Sequence, residues 1–337
     1  MFTRDPITVA VTEPTQVGEA RRLAAVMSEA LGFDSTVRGA IAIVVTEIAT
    51  NLVRHASAGE IVLRSLPPVN CCGLEILGLD RGPGIASMAD AMRDGFSTAL
   101  SPGNGMGAMH RLSTVFDVYS APGHGTAVVA QFRVGDSADD MHARVGCVCL
   151  PKHGEEACGD SVGMADLGGG RTVVMIADGL GHGLQAAVAS RKAVQLFRDN
   201  PSLDGPSLMN VLHNGLKSTR GAAISIADLR RGQGELRFTG VGNVAGRIVH
   251  ATAARGLVSQ NGTVGAAMRQ VQEFVYPWTA GAVLVMHTDG LGSHWQMSQY
   301  AGLTARHPSL IAGVLYRDGR RERDDVTVLA LTDRGRA

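Results

Sequence analysis

The chain has 337 residues, 45% of them hydrophobic, about twice the usual domain length of roughly 100 to 200 residues, so two packed cores are expected. Thirty-one Lys and Arg balance thirty-one Asp and Glu, which leaves no global field to gather nucleic acid or anionic lipid and makes a small molecule or a protein the expected partner. Met1 to Val11 carries Arg4, Asp5 and Pro6 rather than an apolar run with a cleavage site, and nowhere do about 18 uncharged apolar residues follow one another, so the reading is cytoplasmic with no membrane segment. The five cysteines, Cys71, Cys72, Cys147, Cys149 and Cys158, are odd in number, lack the two C-x-x-C pairs of structural zinc and read as reduced structural thiols.

In chain order, Phe33-Asp34-Ser35 offers a helix N-cap, and Thr36 to Ala56 places Ile41, Val44, Val45, Ile48 and Leu52 on one stripe of a long amphipathic helix. Strands are expected at Ile61 to Leu63, Leu74 to Leu79, Val115 to Tyr119 and Thr126 to Phe132, the last two joined through Pro122 to Gly125. Gly135 to Asp140 is polar and acidic and marks a domain boundary. Beyond it, strands are expected at Ala143 to Leu150, Thr172 to Ala177, Ala222 to Asp228, Glu235 to Gly240, Ala282 to His287 and Val326 to Leu331. Helices are expected at Leu184 to Arg198 and Pro206 to Thr219. The resulting division is residues 1–134, a short linker at 135–141, and 142–337, two domains of mixed α/β (α+β) class.

On the long helix Glu47, Asn51 and His55 stand four residues apart and project from one face. An Asn can offer a neutral oxygen to Mg²⁺ while a Glu one turn away takes a proton from a nucleophile, although the triplet alone also suits a solvated face. Downstream come Asp80-Arg-Gly-Pro-Gly-Ile85, Gly103-Asn-Gly-Met-Gly107 and Gly123-His-Gly-Thr126. Glycines let backbone N–H groups approach phosphates, and Asp80 can accept from an adenine amino group. Gly103 to Gly107 does not open a β-α-β unit, which sets a dinucleotide-binding reading aside.

These four elements in this order resemble the GHKL ATPase family, with Glu47 to His55 as its N box and the three glycine stretches as its glycine boxes. The stretch Met92 to Thr98, and the lack of a phospho-accepting histidine domain, point within it to switch-protein serine kinases of the RsbT type. Covering about residues 8 to 134, the resemblance implies a GHKL (Bergerat) α/β sandwich that binds ATP and Mg²⁺. It further implies Asn51 as the Mg²⁺ ligand, Glu47 as general base on a Ser/Thr hydroxyl and Asp80 as the adenine reader. Gly82, Gly84, Gly105, Gly107 and Thr126 would then shape the pocket and lid. Phosphoryl transfer needs mainly positioning and charge neutralisation, which this set could provide. His55 fits either a catalytic or a packing role.

In the second half acidic residues recur beside glycine or another aspartate: Gly159-Asp160, Asp178-Gly179, Asp289-Gly290 and Asp324-Asp325. Any one Asp-Gly pair suits a plain turn. Asp178 and Asp289, however, each follow an apolar strand, and a set of hard oxygen donors without His or Cys favours Mg²⁺ or Mn²⁺ over zinc.

Cys158-Gly-Asp-Ser161, Ala177 to Gly183, His287-Thr-Asp-Gly-Leu291 and Asp324 to Leu329 together resemble the PPM-type metal-dependent Ser/Thr phosphatases, in their SpoIIE-like branch. That resemblance spans about residues 142 to 332 and implies an α-β-β-α sandwich. Asp160, Asp178, Asp289 and Asp324 would hold two Mn²⁺ or Mg²⁺ ions, the Gly179 carbonyl assisting and Asp325 standing as an alternative to Asp324. A water shared by the metals would be acidified to attack phosphorus in line. Gly240-Val-Gly-Asn243 and Gly262-Thr-Val-Gly265 are similar to loops of the RsbX type. His182 fits either a contact to substrate phosphate or a loop position without a metal role.

Together the resemblances imply a fusion that phosphorylates and dephosphorylates Ser/Thr of a STAS-domain switch protein in bacterial stress or sigma-factor signalling, with a downstream activator or sigma-factor regulator as a further partner. Two alternatives stay open at this point. One is a metal-dependent phosphatase whose first half only senses ATP or docks a partner; the other is a non-catalytic sequestering switch protein. Retention of Glu47 argues against the first, and presence of all the metal aspartates against the second.

Overall fold

The computed structural model describes residues 6–56, 58–66, 73–87, 105–133, 141–250 and 253–333. By its packing the chain divides into two units, Met1–Asp139 and Asp140–Ala337. The linker expected at 135–141 falls outside the described residues except for Met141, and Cys71, Cys72, Met92 to Thr98, Gly103 and Asn104 fall outside them altogether.

In the first unit Asp34 does what its position predicts: its carboxylate accepts from the backbone N–H of Thr36 (2.8 Å) and Val37 (2.9 Å) and starts the helix α2, Ser35–His55. The helix follows β1 (Ile7–Ala10) and α1 (Pro14–Ala30) and precedes β2 (Gly59–Leu66) and β3 (Gly73–Asp80). Then come α3 (Gly105–Leu112), β4 (Val115–Ser120) and β5 (Thr126–Arg133). The strands form one antiparallel sheet in the order β1-β2-β3-β5-β4. The α2 stripe Ile41, Val44, Val45, Ile48 and Leu52 is buried and packs with Ile61, Leu63, Leu74, Ile76 and Phe132 from the sheet. By length and composition alone α2 could cross a membrane, but its apolar stripe lies in this core, which accounts for its apolarity.

Helix α1 escapes a periodicity search because its buried positions are small or polar as often as apolar: Ala20, Ala24, Met27 and Ser28. Its start is marked locally instead, by a capping box between Glu13 and Gln16 with Pro14 in the first turn.

Three neighbouring strands carry a buried polar row. Arg64 on β2 lies opposite Glu75 on β3, which lies opposite Gln131 on β5. Arg64 Nε and Nη2 both donate to Glu75 Oε1 (3.0 and 2.7 Å), and Gln131 Nε2 donates to Glu75 Oε2 (2.6 Å). Glu75 is 2% exposed and Arg64 7%. Removing the Arg64 guanidinium takes two charge-assisted donors from a buried carboxylate that keeps Gln131, so Arg64→Ala is expected to lower the stability of the full chain by about 1–3 kcal/mol in urea denaturation. A change well under 1 kcal/mol would show that Glu75 ionisation is not what the row satisfies.

The second unit opens with one helical turn, α4 (Met141–Arg144), then β6 (Val145–Leu150), β7 (Asp160–Asp166), β8 (Arg171–Gly179), α5 (Leu184–Asp199) and α6 (Gly205–Leu216). It continues through β9 (Ala222–Arg230), β10 (Glu235–Val241), β11 (Ala245–Val249), β12 (Ala254–Gly256), β13 (Phe274–Pro277), β14 (Val283–His287), α7 (Pro308–Gly319) and β15 (Val326–Thr332). Ala143 and Arg144, expected in a strand, are helical; the Arg144 guanidinium pairs with Asp166 of β7.

The strands make two five-stranded sheets, β13-β10-β9-β8-β7 and β12-β11-β14-β15-β6. Val174 and Ile176 of β8 meet Leu284, Met286, Leu329 and Leu331 between the sheets. The alternate residues Val173, Met175 and Ala177 meet Ala193, Phe197, Leu208 and Leu212 of α5 and α6 on the outer face. A strand covered on both faces reads as a continuous apolar run, which is why β8 is legible in the sequence. Helix α7 packs on β6 and β15, completing the α-β-β-α layering. Its residues Pro308 to Arg317 are all buried, so no polar face betrays the helical period.

Candidate functional site

In the first unit the expected residues gather around the C-terminal half of α2 and the end of β3. Glu47 and Asn51 are half-buried there, and His55 is exposed in the last turn. Asp80 closes β3, and its Oδ1 accepts from the backbone N–H of Gly82 (2.7 Å) and of Thr126 (3.1 Å), which fixes the carboxylate between the first and third glycine stretches. The turns themselves interlock. Gly84 has φ +75° and Gly125 φ +69°; a Cβ on Gly84 would stand 2.2 Å from the Ala121 carbonyl oxygen, and one on Gly125 2.1 Å from that of Asp80. Only glycine satisfies both the left-handed backbone and the close approach.

Gly105 and Gly107 lie in α3, and a Cβ on Gly105 would stand 3.0 Å from Glu47 Oε2, so the second glycine stretch runs close against that carboxylate. Ser120, which the sequence reading passed over, ties the first and third glycine stretches together. It accepts from Ile85 N–H (2.8 Å), donates to Gly125 O (3.1 Å) and shares a hydrogen bond with Thr126 Oγ1 (3.0 Å). Its only signal was its position at the end of a strand before a Gly-containing turn.

In the second unit Asp160 is the first residue of β7 and pairs directly across the ladder with Asp178 of β8. Like charges directly opposite on adjacent strands destabilise a sheet, so this pair needs a proton or a cation nearby. Burial pushes Asp178 up to about 9, with Asp160, Asp289, Asp324 and Asp325 adding to the shift. Burial also pushes Asp160 up to about 7, against a hydrogen bond from Thr288 Oγ1 (2.8 Å). Asp324, at the entry to β15, is raised by burial and then by Asp289. Asn243 Nδ2 donates to Asp289 Oδ2 (2.8 Å). Gly179, which follows Asp178, admits no side chain, because a Cβ would lie 2.2 Å from the Ala186 carbonyl oxygen at the start of α5.

Asp325 does different work from its neighbour. It is 3% exposed, and its two oxygens accept from Lys152 N–H (2.7 Å) and Gly159 N–H (2.9 Å), holding the approaches to β7. Asp324, oriented by the N–H of Asp325 onto its Oδ1 (3.0 Å), is the more exposed of the two. Asp325→Ala orphans two backbone donors at about 1–3 kcal/mol each, and thermal unfolding of the variant is expected to show it. An unchanged Tm would show that both donors find water.

Thr288 is a second residue without an assigned role in the sequence reading, although it stands inside His287-Thr-Asp-Gly. His182 pairs through Nδ1 with Glu155 Oε1 (2.7 Å) at the rim. Among the described residues no three His, Cys, Asp or Glu side chains already stand at the spacing that holds a metal ion. The aspartates nonetheless form an all-oxygen set whose mutual repulsion a hard divalent cation would relieve, so the residues present fit such an ion.

The α/β sandwich of the first unit and the α-β-β-α sandwich of the second define a two-unit protein of GHKL-like and PPM-like folds. The chain belongs to the family described as Histidine kinase-like ATPase domain through residues 10–132, and residues 168–333 match the family Stage II sporulation protein E (SpoIIE). It is 33% identical over 111 residues to the serine/threonine-protein kinase RsbT of Bacillus subtilis (strain 168), covering 33% of this chain and 84% of that protein. It is 29% identical over 145 residues to the phosphoserine phosphatase RsbX of the same organism, covering 42% of this chain and 71% of that protein. Among solved structures, one from work on the bacterial stressosome shares the fold at TM-score 0.52 and 24% identity, over 56% of this chain and 97% of the other. One polypeptide thus joins an RsbT-like unit to an RsbX-like unit.

Proposed function

We propose that this chain is a bifunctional partner-switching regulator, in which the first domain (1–134) phosphorylates Ser/Thr of a cytoplasmic STAS-domain protein and the second (142–337) removes that phosphate. The facing carboxylates Asp160 and Asp178 carry the reading of the second domain, because a fold tolerates such repulsion where a cation is to bind. Asp160, Asp178, Asp289 and Asp324 would hold two Mn²⁺ or Mg²⁺ ions with the Gly179 carbonyl. Such ions, when bound, supply Lewis acidity and an activated water for in-line attack on a phosphate ester. Asp325 and Thr288 hold the segments that present these ligands.

In the first domain Asn51 would hold Mg²⁺ of MgATP, and Asp80 would read adenine from between its two turns. Gly82, Gly84, Gly105, Gly107 and Thr126 shape the pocket. Glu47 takes the proton of the attacking hydroxyl, a role its place beside the second glycine stretch supports. Fusion keeps opposing activities at high effective concentration around one substrate.

The test is a time course of STAS-protein phosphorylation with ATP, Mg²⁺ and Mn²⁺, using a STAS protein encoded near this chain, for wild type and Asp178→Asn. Phosphate is expected to accumulate in the variant and to be turned over in the wild type. Absence of phosphate in both would reduce the first domain to an ATP-sensing module.

A further inference from the structure

Cys149 and Cys158 are distant from any role in phosphate chemistry, yet they stand close together at the entrance to the acidic cluster. Cys149 lies on β6, an edge strand of its sheet, and is partly exposed; Cys158 is 3% exposed in the segment that enters β7. Their sulfurs are 3.7 Å apart, and Cys149 Sγ lies 3.6 Å from the backbone carbonyl oxygen of Asp160. Cys147, two residues back on the same face of the strand, lies deeper in the core between the sheets.

We propose that Cys149 and Cys158 form a hydroperoxide-modified pair that switches off the second domain. The partly exposed Cys149 thiol attacks the peroxide O–O bond, becoming a sulfenic acid and releasing one molecule of water (from hydrogen peroxide) or alcohol (from an organic hydroperoxide). Cys158 then displaces the sulfenic hydroxyl, forming the disulfide and releasing one water, so that two thiols are oxidised and one peroxide is reduced.

Forming that bond closes the sulfurs from 3.7 Å to about 2.05 Å. The contraction of roughly 1.6 Å draws Cys158 toward β6, and Gly159 and Asp160 follow it in the chain. Gly159 is already held by its N–H on Asp325 Oδ2 (2.9 Å), so the displacement falls on the segment that sets the Asp160 carboxylate. A misplacement of about 1 Å at a reacting constellation can cost about a hundredfold in rate.

The activity readout rests on the phosphatase reading above; the chemical readout does not. Full-length protein is treated with a small excess of hydrogen peroxide, digested without reductant and mapped by mass spectrometry, while Mn²⁺-dependent hydrolysis of p-nitrophenyl phosphate is followed in parallel. A Cys149–Cys158 linkage two hydrogens lighter than the thiols is expected, with turnover falling about tenfold or more and returning on dithiothreitol. Cys149→Ser should keep turnover and lose the sensitivity, and Cys158→Ser should leave a sulfenic acid at Cys149 that dimedone traps. Oxidation confined to other cysteines sinks the pair, and a complete linkage with unchanged turnover sinks its control of Asp160. A linkage formed in a protein inactive even when reduced supports the pair and counts against the phosphatase reading.

Discussion

Asp178→Asn is expected to lower Mn²⁺-dependent phosphate-ester hydrolysis by at least about a hundredfold, the upper end of what losing a residue that merely supports a metal ligand costs. The same substitution is expected to leave the metal-free fold as stable as before, or more so. Asp178 is the residue on which the cluster converges: burial raises its carboxyl to about 9, and Asp160, Asp289, Asp324 and Asp325 all push the same way. With its carboxyl raised to about 9 mainly by burial, Asp178 is held protonated near neutral pH in the metal-free fold, and the unfolded chain, whose free carboxyl ionises, gains stability from that difference; an amide of nearly the same volume removes this penalty. The signature is therefore a dissociation of two readouts. Wild type should gain Tm on adding Mn²⁺, through preferential binding to the folded state; the variant should lose most of that gain and most of the turnover together. Unaltered turnover would place the metals elsewhere, and a variant that unfolds without metal would show that Asp178 is a structural acid rather than a ligand.

What the sequence disclosed and what it hid follow from the same physics. The stripe on α2 and the apolar run of β8 were legible because each is written in a single period or a single unbroken run. Helix α7 was not, because burial on every side erases the contrast a periodicity search depends on, and α1 was not, because alanines and a serine form its contact face. The motifs marked Asp160, Asp178 and Asp289 through the glycines beside them. They left Asp324 and Asp325 as alternatives, and the backbone donors of Lys152 and Gly159 on the two oxygens of Asp325, from segments distant in the chain, are visible only in the fold. Ser120 and Thr288 were hidden for a related reason: each acts by bridging segments that meet only in the fold.

In the first domain Glu47→Ala and Asn51→Ala, one helical turn apart, are expected to fail in different ways. Removing a general base costs typically about 10²- to 10⁴-fold in the chemical step, so Glu47→Ala should abolish detectable transfer to the STAS protein while MgATP affinity stays within about twofold, since that loss falls on the chemical step. Asn51→Ala should instead weaken MgATP binding, by about tenfold or more if the amide oxygen holds the ion, and leave ATP binding in EDTA unchanged. The magnesium dependence is the discriminating term, because a packing defect in α2 would weaken both forms of the nucleotide equally. Neither residue belongs to the buried stripe of that helix, and Ile48 and Leu52 beside them keep its core contacts, so both variants should fold. Equal loss of MgATP and free ATP in Asn51→Ala would reassign Asn51 to the pocket wall. Transfer that persists in Glu47→Ala would mean that the hydroxyl is activated by another group, and His55, exposed one turn beyond Asn51 on the same face, would be the next residue to change.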